Sequence, residues 1–258
     1  MLLDFDDEGP GPVVVLIHGF PFDRTMWEGQ IGEVGSIYRI IAPDLRGHGR
    51  SEATEGVYSM DLLADDVIET LDSLNLTDPV VIGGLSMGGY VALSIAKRYP
   101  NRLRGLILMN TKASADSFEA GLARTEQARL VESEGKVDSV VDAILPRLFS
   151  PTTRERRPDL ILRMKDLMLQ TSPLGMVGAL RGMATRPDRT ADLAGFRVPT
   201  LVLAGQDDVV ISIDEAHRMA GAIPNARFAV VPDGGHLAPL ENTADSNALI
   251  LDFLKSIG

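Results

Sequence analysis

Cysteine is absent from the 258 residues, which removes disulfides, thiolate nucleophiles and thiolate metal sites from consideration. Basic charge is scarce: 25 Lys and Arg face 36 Asp and Glu, for a formal net charge of −11. A field of that sign repels nucleic-acid phosphates and anionic lipid, so neither is expected as a partner. No apolar run approaches the roughly 20 residues that span a bilayer. The chain opens Met1-Leu2-Leu3-Asp4-Phe5-Asp6-Asp7-Glu8, acidic where a secretory signal is basic. These absences lead to the expectation of a soluble, cytoplasmic protein. What is present suffices for a core. Hydrophobic residues make up 45% of the chain, and 258 residues can form one large α/β domain or two small ones.

Short runs rich in Val, Ile and Leu recur at Val13 to Ile17, Tyr38 to Ala42, Val80 to Ile82, Leu103 to Met109, Pro199 to Ala204 and Arg227 to Val231. They are mostly apolar rather than alternating, as expected of strands covered on both faces. Helical patterns lie between them. Ser59 can cap a helix that places Leu63, Val67, Leu71 and Leu74 on one face, and Ser86 to Tyr99 and Ala244 to Ile257 read as helices too. Strands alternating with helices predict a mostly parallel, doubly wound α/β sheet. The rhythm breaks between Lys112 and Gly195, where helical stretches are punctuated by Pro146, Pro151, Pro158, Pro173 and Pro187. Residues 112–195 are therefore expected to form a helical cap, inserted before the penultimate strand into a core of residues 1–111 and 196–258. Met164, Met168, Met176 and Met183 fall in this cap. Packing within it is the expected role, with an adaptable pocket lining as the alternative.

The chemistry concentrates after the third strong apolar run. Gly84-Leu85-Ser86-Met87-Gly88 matches G-x-S-x-G, the turn that holds a nucleophilic serine between a strand and a helix. A serine hydroxyl needs a base, usually histidine, and the chain has four. His236, in Pro232-Asp233-Gly234-Gly235-His236, follows the last strand, where chain order Ser, acid, His puts the base. His18 and His48 suit loop hydrogen bonding, and His217 suits a helix surface. For the carboxylate that orients the base, Gly205-Gln206-Asp207-Asp208 offers two candidates, of which Asp208 is preferred. Asn110, after the preceding strand, cannot supply the charge. The oxyanion needs two amides: Met87, next to the serine, and Phe20 in His18-Gly19-Phe20-Pro21, since Pro21 has no N–H.

These segments, with Asp44-Leu45-Arg46-Gly47-His48-Gly49-Arg50-Ser51 and Gly235-His236, run in the order found in the α/β-hydrolase superfamily, and the chain resembles its small serine-hydrolase branch with a helical cap. The resemblance covers nearly the whole chain and implies a catalytic triad working without cofactor or metal. One departure is visible. Only about a dozen residues precede Val13, so the antiparallel strands usual at the start must be shortened or partly missing.

Ser86 separates the chain from dehalogenases and epoxide hydrolases of the superfamily, which carry Asp there. Phe20-Pro21-Phe22 replaces the Gly-rich stretch usual in carbon–carbon bond hydrolases. The expected function is a carboxylesterase, enol-lactonase or acyl-homoserine lactonase type of activity, cleaving small to medium esters or lactones through an acyl-enzyme. A cofactor-free haloperoxidase or perhydrolase-like enzyme, and a triad-bearing small-molecule receptor or signalling protein, are the alternatives. The acyl and alcohol groups and the oligomeric state have no signature in the sequence.

Overall fold

The computed structural model describes all 258 residues. Seven strands form one sheet: β1 (Phe5–Glu8), β2 (Val13–Ile17), β3 (Arg39–Pro43), β4 (Val80–Leu85), β5 (Leu103–Met109), β6 (Thr200–Gly205) and β7 (Ala226–Val231). Their order is β1-β3-β2-β4-β5-β6-β7, and every pairing is parallel except that of β1 with β3. The six apolar runs thus become the six parallel strands, each displaced by at most a few residues at its ends. β1 was not anticipated, because its Phe5-Asp6-Asp7-Glu8 is mostly acidic. It is an edge strand, so half of it faces water and tolerates charge. It also meets the expected departure, since a single four-residue antiparallel strand precedes β2.

Eleven α-helices accompany the sheet: α1 (Glu28–Glu33), α2 (Met60–Ser73), α3 (Met87–Arg98), α4 (Phe118–Glu134), α5 (Asp138–Ile144), α6 (Pro151–Arg156), α7 (Pro158–Leu169), α8 (Pro173–Ala184), α9 (Ile213–Ala222), α10 (Ala238–Glu241) and α11 (Thr243–Ser256). Ser59 caps α2 as expected, its hydroxyl accepting from the Leu62 amide at 3.1 Å, and Leu63, Val67 and Leu71 are buried beneath it. α3 packs on β4 and β5, α9 on β6 and β7, and α11 on β7. No helix is long and apolar enough to cross a membrane.

Between β5 and β6 there are only helices. Pro151, Pro158 and Pro173 open α6, α7 and α8, the first-turn position where a missing N–H costs nothing. Of the prolines that look like breakers in the sequence, these three are starters, while Pro187 lies outside any helix. Met164, Met168, Met176 and Met183 are all buried, and α4 packs along α8. α8 also lies on Tyr58, whose amide donates to the Gly178 carbonyl at 3.0 Å; a Cβ at Gly178 would stand 2.7 Å from the Tyr58 ring. The two ends of the segment are tied together. The Arg189 amide donates to the Ala113 carbonyl at 2.9 Å, and Arg186 pairs with Asp116 at 3.0 Å while stacking over Tyr90. Burial pushes the Asp116 carboxyl up, but Arg124 and Arg186 more than offset this and hold it below its ordinary range.

Tyr58 is fully buried, with its phenol donating to the Thr54 carbonyl and accepting from the Thr54 amide. Tyr58→Ala should therefore lower stability by about 3–5 kcal/mol, the range for emptying a large aromatic site, read as a fall in the urea midpoint. An unchanged midpoint would mean that α8 is not seated on this side chain.

Candidate active site

In the sheet the chain leaves β2 to one side for β3 and returns to the other side for β4, so the connections that follow these two paired strands part in opposite directions, the place where a crevice forms in α/β sheets. Ser86 stands at one lip of it, directly after β4, with φ 52° and ψ −111°. That conformation is rare outside glycine, and the close-packed turn enforces it. A Cβ on Gly84 would lie 2.2 Å from the Gly88 carbonyl oxygen, and a Cβ on Gly88 would lie 2.2 Å from that of Ile17. The Ser86 amide donates to the Met109 carbonyl at 2.9 Å, and the Thr111 hydroxyl donates to the Ser86 carbonyl at 2.8 Å.

His18-Gly19-Phe20 forms the opposite lip. An added Cβ on Gly19 would be 3.6 Å from Ser86 Cβ, so the loop runs against the serine. The amides of Phe20 and Met87, the two oxyanion candidates, make no hydrogen bond within the protein.

His236 Nε2 lies 2.8 Å from Ser86 Oγ, and its Nδ1 lies 2.9 Å from Asp208 Oδ2. The imidazole is buried and the serine half-buried. The Asp208 carboxylate is saturated with donors. Oδ1 accepts from the amides of Val210 and Ile211 at 2.7 and 3.0 Å, while Oδ2 also accepts from Asn110 Nδ2 at 2.9 Å. Burial pushes this carboxyl up, but the His236 imidazole and the hydrogen bonds win and leave it below its usual range. Ser86, His236 and Asp208, widely separated in the chain, thus form one hydrogen-bonded line. Nothing comparable surrounds Asp207, which is only half-buried and makes no side-chain hydrogen bond.

The other histidines stand elsewhere. His217 is exposed, with its ring edge-on to Phe228. His18 Nε2 accepts from the Leu45 amide at 2.9 Å, which leaves its Nδ1–H to donate to the Gly19 carbonyl at 3.0 Å. His48 Nδ1 lies 3.0 Å from the Arg46 carbonyl, and the two rings are 5.1 Å apart. Both are fully buried loop anchors, as expected. Burial lowers His18 to about 4 and, with the neighbouring His18 ring, His48 to about 3.

Asn110 is a site residue that sequence reasoning passed over. It cannot supply charge, but its amide group holds Asp208 and the Gly235 carbonyl, at 2.9 and 3.0 Å. Its signal was an asparagine directly after a strand, a residue type that tolerates the left-handed backbone it adopts at φ 47°. Two large aromatic side chains that follow β2, Phe22 and Trp27, are sealed in the core, whereas Phe20 beside them stays partly exposed. Arg157 is half-buried and donates to the carbonyls of Leu240 and Glu241. Two surface cavities of about 350 and 420 Å³ meet at Thr25, Leu167 and Gln170 and are not lined by Ser86, Asp208 or His236. No group of three acidic, histidine or cysteine side chains is arranged to hold a metal ion.

The family model for the alpha/beta hydrolase fold matches residues 12–243. The chain belongs to the α/β-hydrolase fold family. A thermophilic esterase from Thermogutta terrifontis shares 42% identity at a TM-score of 0.97, covering 99% of this α/β-hydrolase and 93% of the esterase. The 3-oxoadipate enol-lactonase 1 of Acinetobacter baylyi is 30% identical over 95% of this chain and 90% of its own. A non-heme chloroperoxidase of Kitasatospora aureofaciens is 28% identical over 90% and 87%.

The buried histidines make a pH signature. In the unfolded chain they take up protons near the ordinary 6.5, whereas in the folded α/β-hydrolase they stay neutral down to about 4 and 3. Between those limits the unfolded state binds more protons, so stability falls as pH drops. The urea midpoint should decline from pH 6.5 toward pH 4, and His48→Gln should flatten that decline. An identical slope in the variant would show that His48 is not held neutral.

Proposed function

We propose that the chain is a serine hydrolase that cleaves small to medium carboxylic esters or lactones through an acyl-enzyme on Ser86. The observation that carries this reading is the single hydrogen-bonded line from Ser86 Oγ through His236 to Asp208, at 2.8 and 2.9 Å, on a strained turn beside two unused amides. The esterase and enol-lactonase among its relatives support it.

In this mechanism Ser86 Oγ attacks the carbonyl carbon while His236 Nε2 takes its proton. Asp208 keeps the Nδ1 proton facing it and steadies the imidazolium as it forms. Negative charge gathers on the former carbonyl oxygen, where the Phe20 and Met87 amides can receive it; one such donor is worth about 10²–10³ in kcat. His236 then returns the proton to the departing alkoxide. A water molecule, deprotonated by the same nitrogen, attacks the acyl carbon and releases the acid and Ser86. A lactone follows the same steps, its alcohol remaining attached to its acid.

A fluorophosphonate tests the nucleophile. It should add one phosphonyl group to the peptide bearing Ser86 and abolish turnover, and Ser86→Ala should be inert; label on another residue, or an active variant, overturns the reading. Asp208→Asn should lower kcat by about 10⁴ while Asp207→Asn changes it little. A larger loss in Asp207→Asn would move the acid by one residue.

We read residues 112–195 as a cap closing the crevice. Two contacts support this: Leu148 accepts from the His236 amide at 2.9 Å, and the Thr171 hydroxyl donates to the Pro21 carbonyl at 2.7 Å. The cap thus holds both loops flanking Ser86, which favours an enclosed pocket over an open lipid groove. Across p-nitrophenyl esters from acetate to palmitate, kcat/KM should peak at short or medium chains. A maximum at palmitate with activation at a lipid surface would make the cap a lipase lid instead.

A further inference from the structure

A second carboxylate sits behind His236 without an ion-pair partner. Glu241, the last residue of α10, is 8% exposed and forms no ion pair. Its Oε1 accepts from the amides of Gly235 and Leu237, at 2.9 and 3.2 Å, the residues on either side of His236. Its Oε2 accepts from the Ser150 amide at 2.7 Å, on the segment between β5 and β6. The Arg157 guanidinium is spent on the backbone carbonyls of Leu240 and Glu241 rather than on the carboxylate.

We propose that Glu241 is a positioning residue for His236: its anion gathers the backbone on both sides of the imidazole and clamps it to the segment at Leu148–Ser150. The inference rests on the Ser86–His236 reading and deepens it. Three amide protons converge on one group, a setting that selects an acceptor-only carboxylate. The amide between those of Gly235 and Leu237 is used as well, because His236 N–H donates to the Leu148 carbonyl. Gly235 makes the close approach possible, since a Cβ there would stand 2.5 Å from the Ser150 nitrogen and 2.9 Å from Glu241 Oε1. On its other side, the Gly235 carbonyl accepts from Asn110, which also holds Asp208. The imidazole's place is thus fixed through its backbone by Glu241 and through its ring by Asp208. Burial pushes the Glu241 carboxyl above its ordinary range, and the hydrogen bonds from Ser150, Thr153 and Gly235 only partly oppose this. Holding an anion there has a cost in stability, which a purely structural glutamate on the surface would not incur.

Glu241→Gln keeps the shape but turns an N–H₂ against an N–H wherever it rotates. Glu241→Asp keeps the anion but is one methylene too short to reach both sides. The test is kcat and KM on p-nitrophenyl butyrate per fluorophosphonate-titratable Ser86, with the downfield NMR resonance of the His236 Nδ1 proton recorded alongside. For Glu241→Gln, kcat should fall about 10²-fold, the scale of a misplacement near 1 Å, with KM within about threefold and the resonance shifted or broadened. Glu241→Asp, which covers the case that the glutamine variant does not fold, should lose less kcat and still move the resonance. Wild-type kcat per titrated site with an unmoved resonance in either variant overturns the proposal. If Ser86→Ala is inert while Glu241→Gln is fully active, the Ser86 reading stands and only the role of Glu241 falls.

Discussion

Ser86 is held at φ 52° and ψ −111°, a backbone region that costs a non-glycine residue about 1–3 kcal/mol, and much of the surrounding structure follows from sustaining it. The turn closes only because Gly84 and Gly88 let β4, α3 and the end of β2 approach within a bond length or two of where side chains would be. The Met109 carbonyl and the Thr111 hydroxyl then grip the serine's own amide and carbonyl. β5 therefore serves the serine as directly as β4 does. Relaxing any of these contacts would let Ser86 return to an ordinary conformation and swing its hydroxyl away from His236.

Around that turn the polar groups are arranged in layers. Ser86, His236 and Asp208 form the inner line. Behind it, Asn110 ties Asp208 to the histidine loop, Glu241 ties that loop to the Leu148–Ser150 segment, and His18 fixes the Gly19 carbonyl and the Leu45 amide. Nearly every member is buried, and breaking one of these hydrogen bonds would leave a buried polar group without a partner, so the layers favour one geometry over others. His18 and His48 add to this without titrating across neutral pH, since burial keeps both uncharged.

Much of this was legible from residue order alone. The apolar runs identified β2 to β6 because strands buried on both faces cannot alternate, while β7, at the far edge, is apolar in composition although Arg227 and Val230 are exposed. Ser86, His236 and Asp208 could be named because the chemistry demands three residue types at three strand ends. The sequence was silent where a role depends on backbone atoms. Glu241 acts on amides, and any acidic residue five positions after a histidine looks like a surface charge until those amides are seen to converge. β1 was hidden for a different reason: an edge strand has no need of an apolar composition. Large aromatics such as Phe22 and Trp27 serve a core as well as they would a crevice, and only the path of the loop after β2 decides between them.

The segment between β5 and β6 leaves and re-enters at nearly one point, with the Arg189 amide on the Ala113 carbonyl and Arg186 on Asp116 closing the neck. A loop whose ends are already stapled adds only about 0.6 kcal/mol of closure entropy for each doubling of its length. The segment's length costs the core little entropy, but its contents are tied to the core at Leu148 and Ser150, at Thr171 on Pro21 and along α8 on Tyr58, so only the stretches between these anchors are free to change. The fold thus separates the part that must be conserved to cleave a bond from the part that can drift to meet a new molecule.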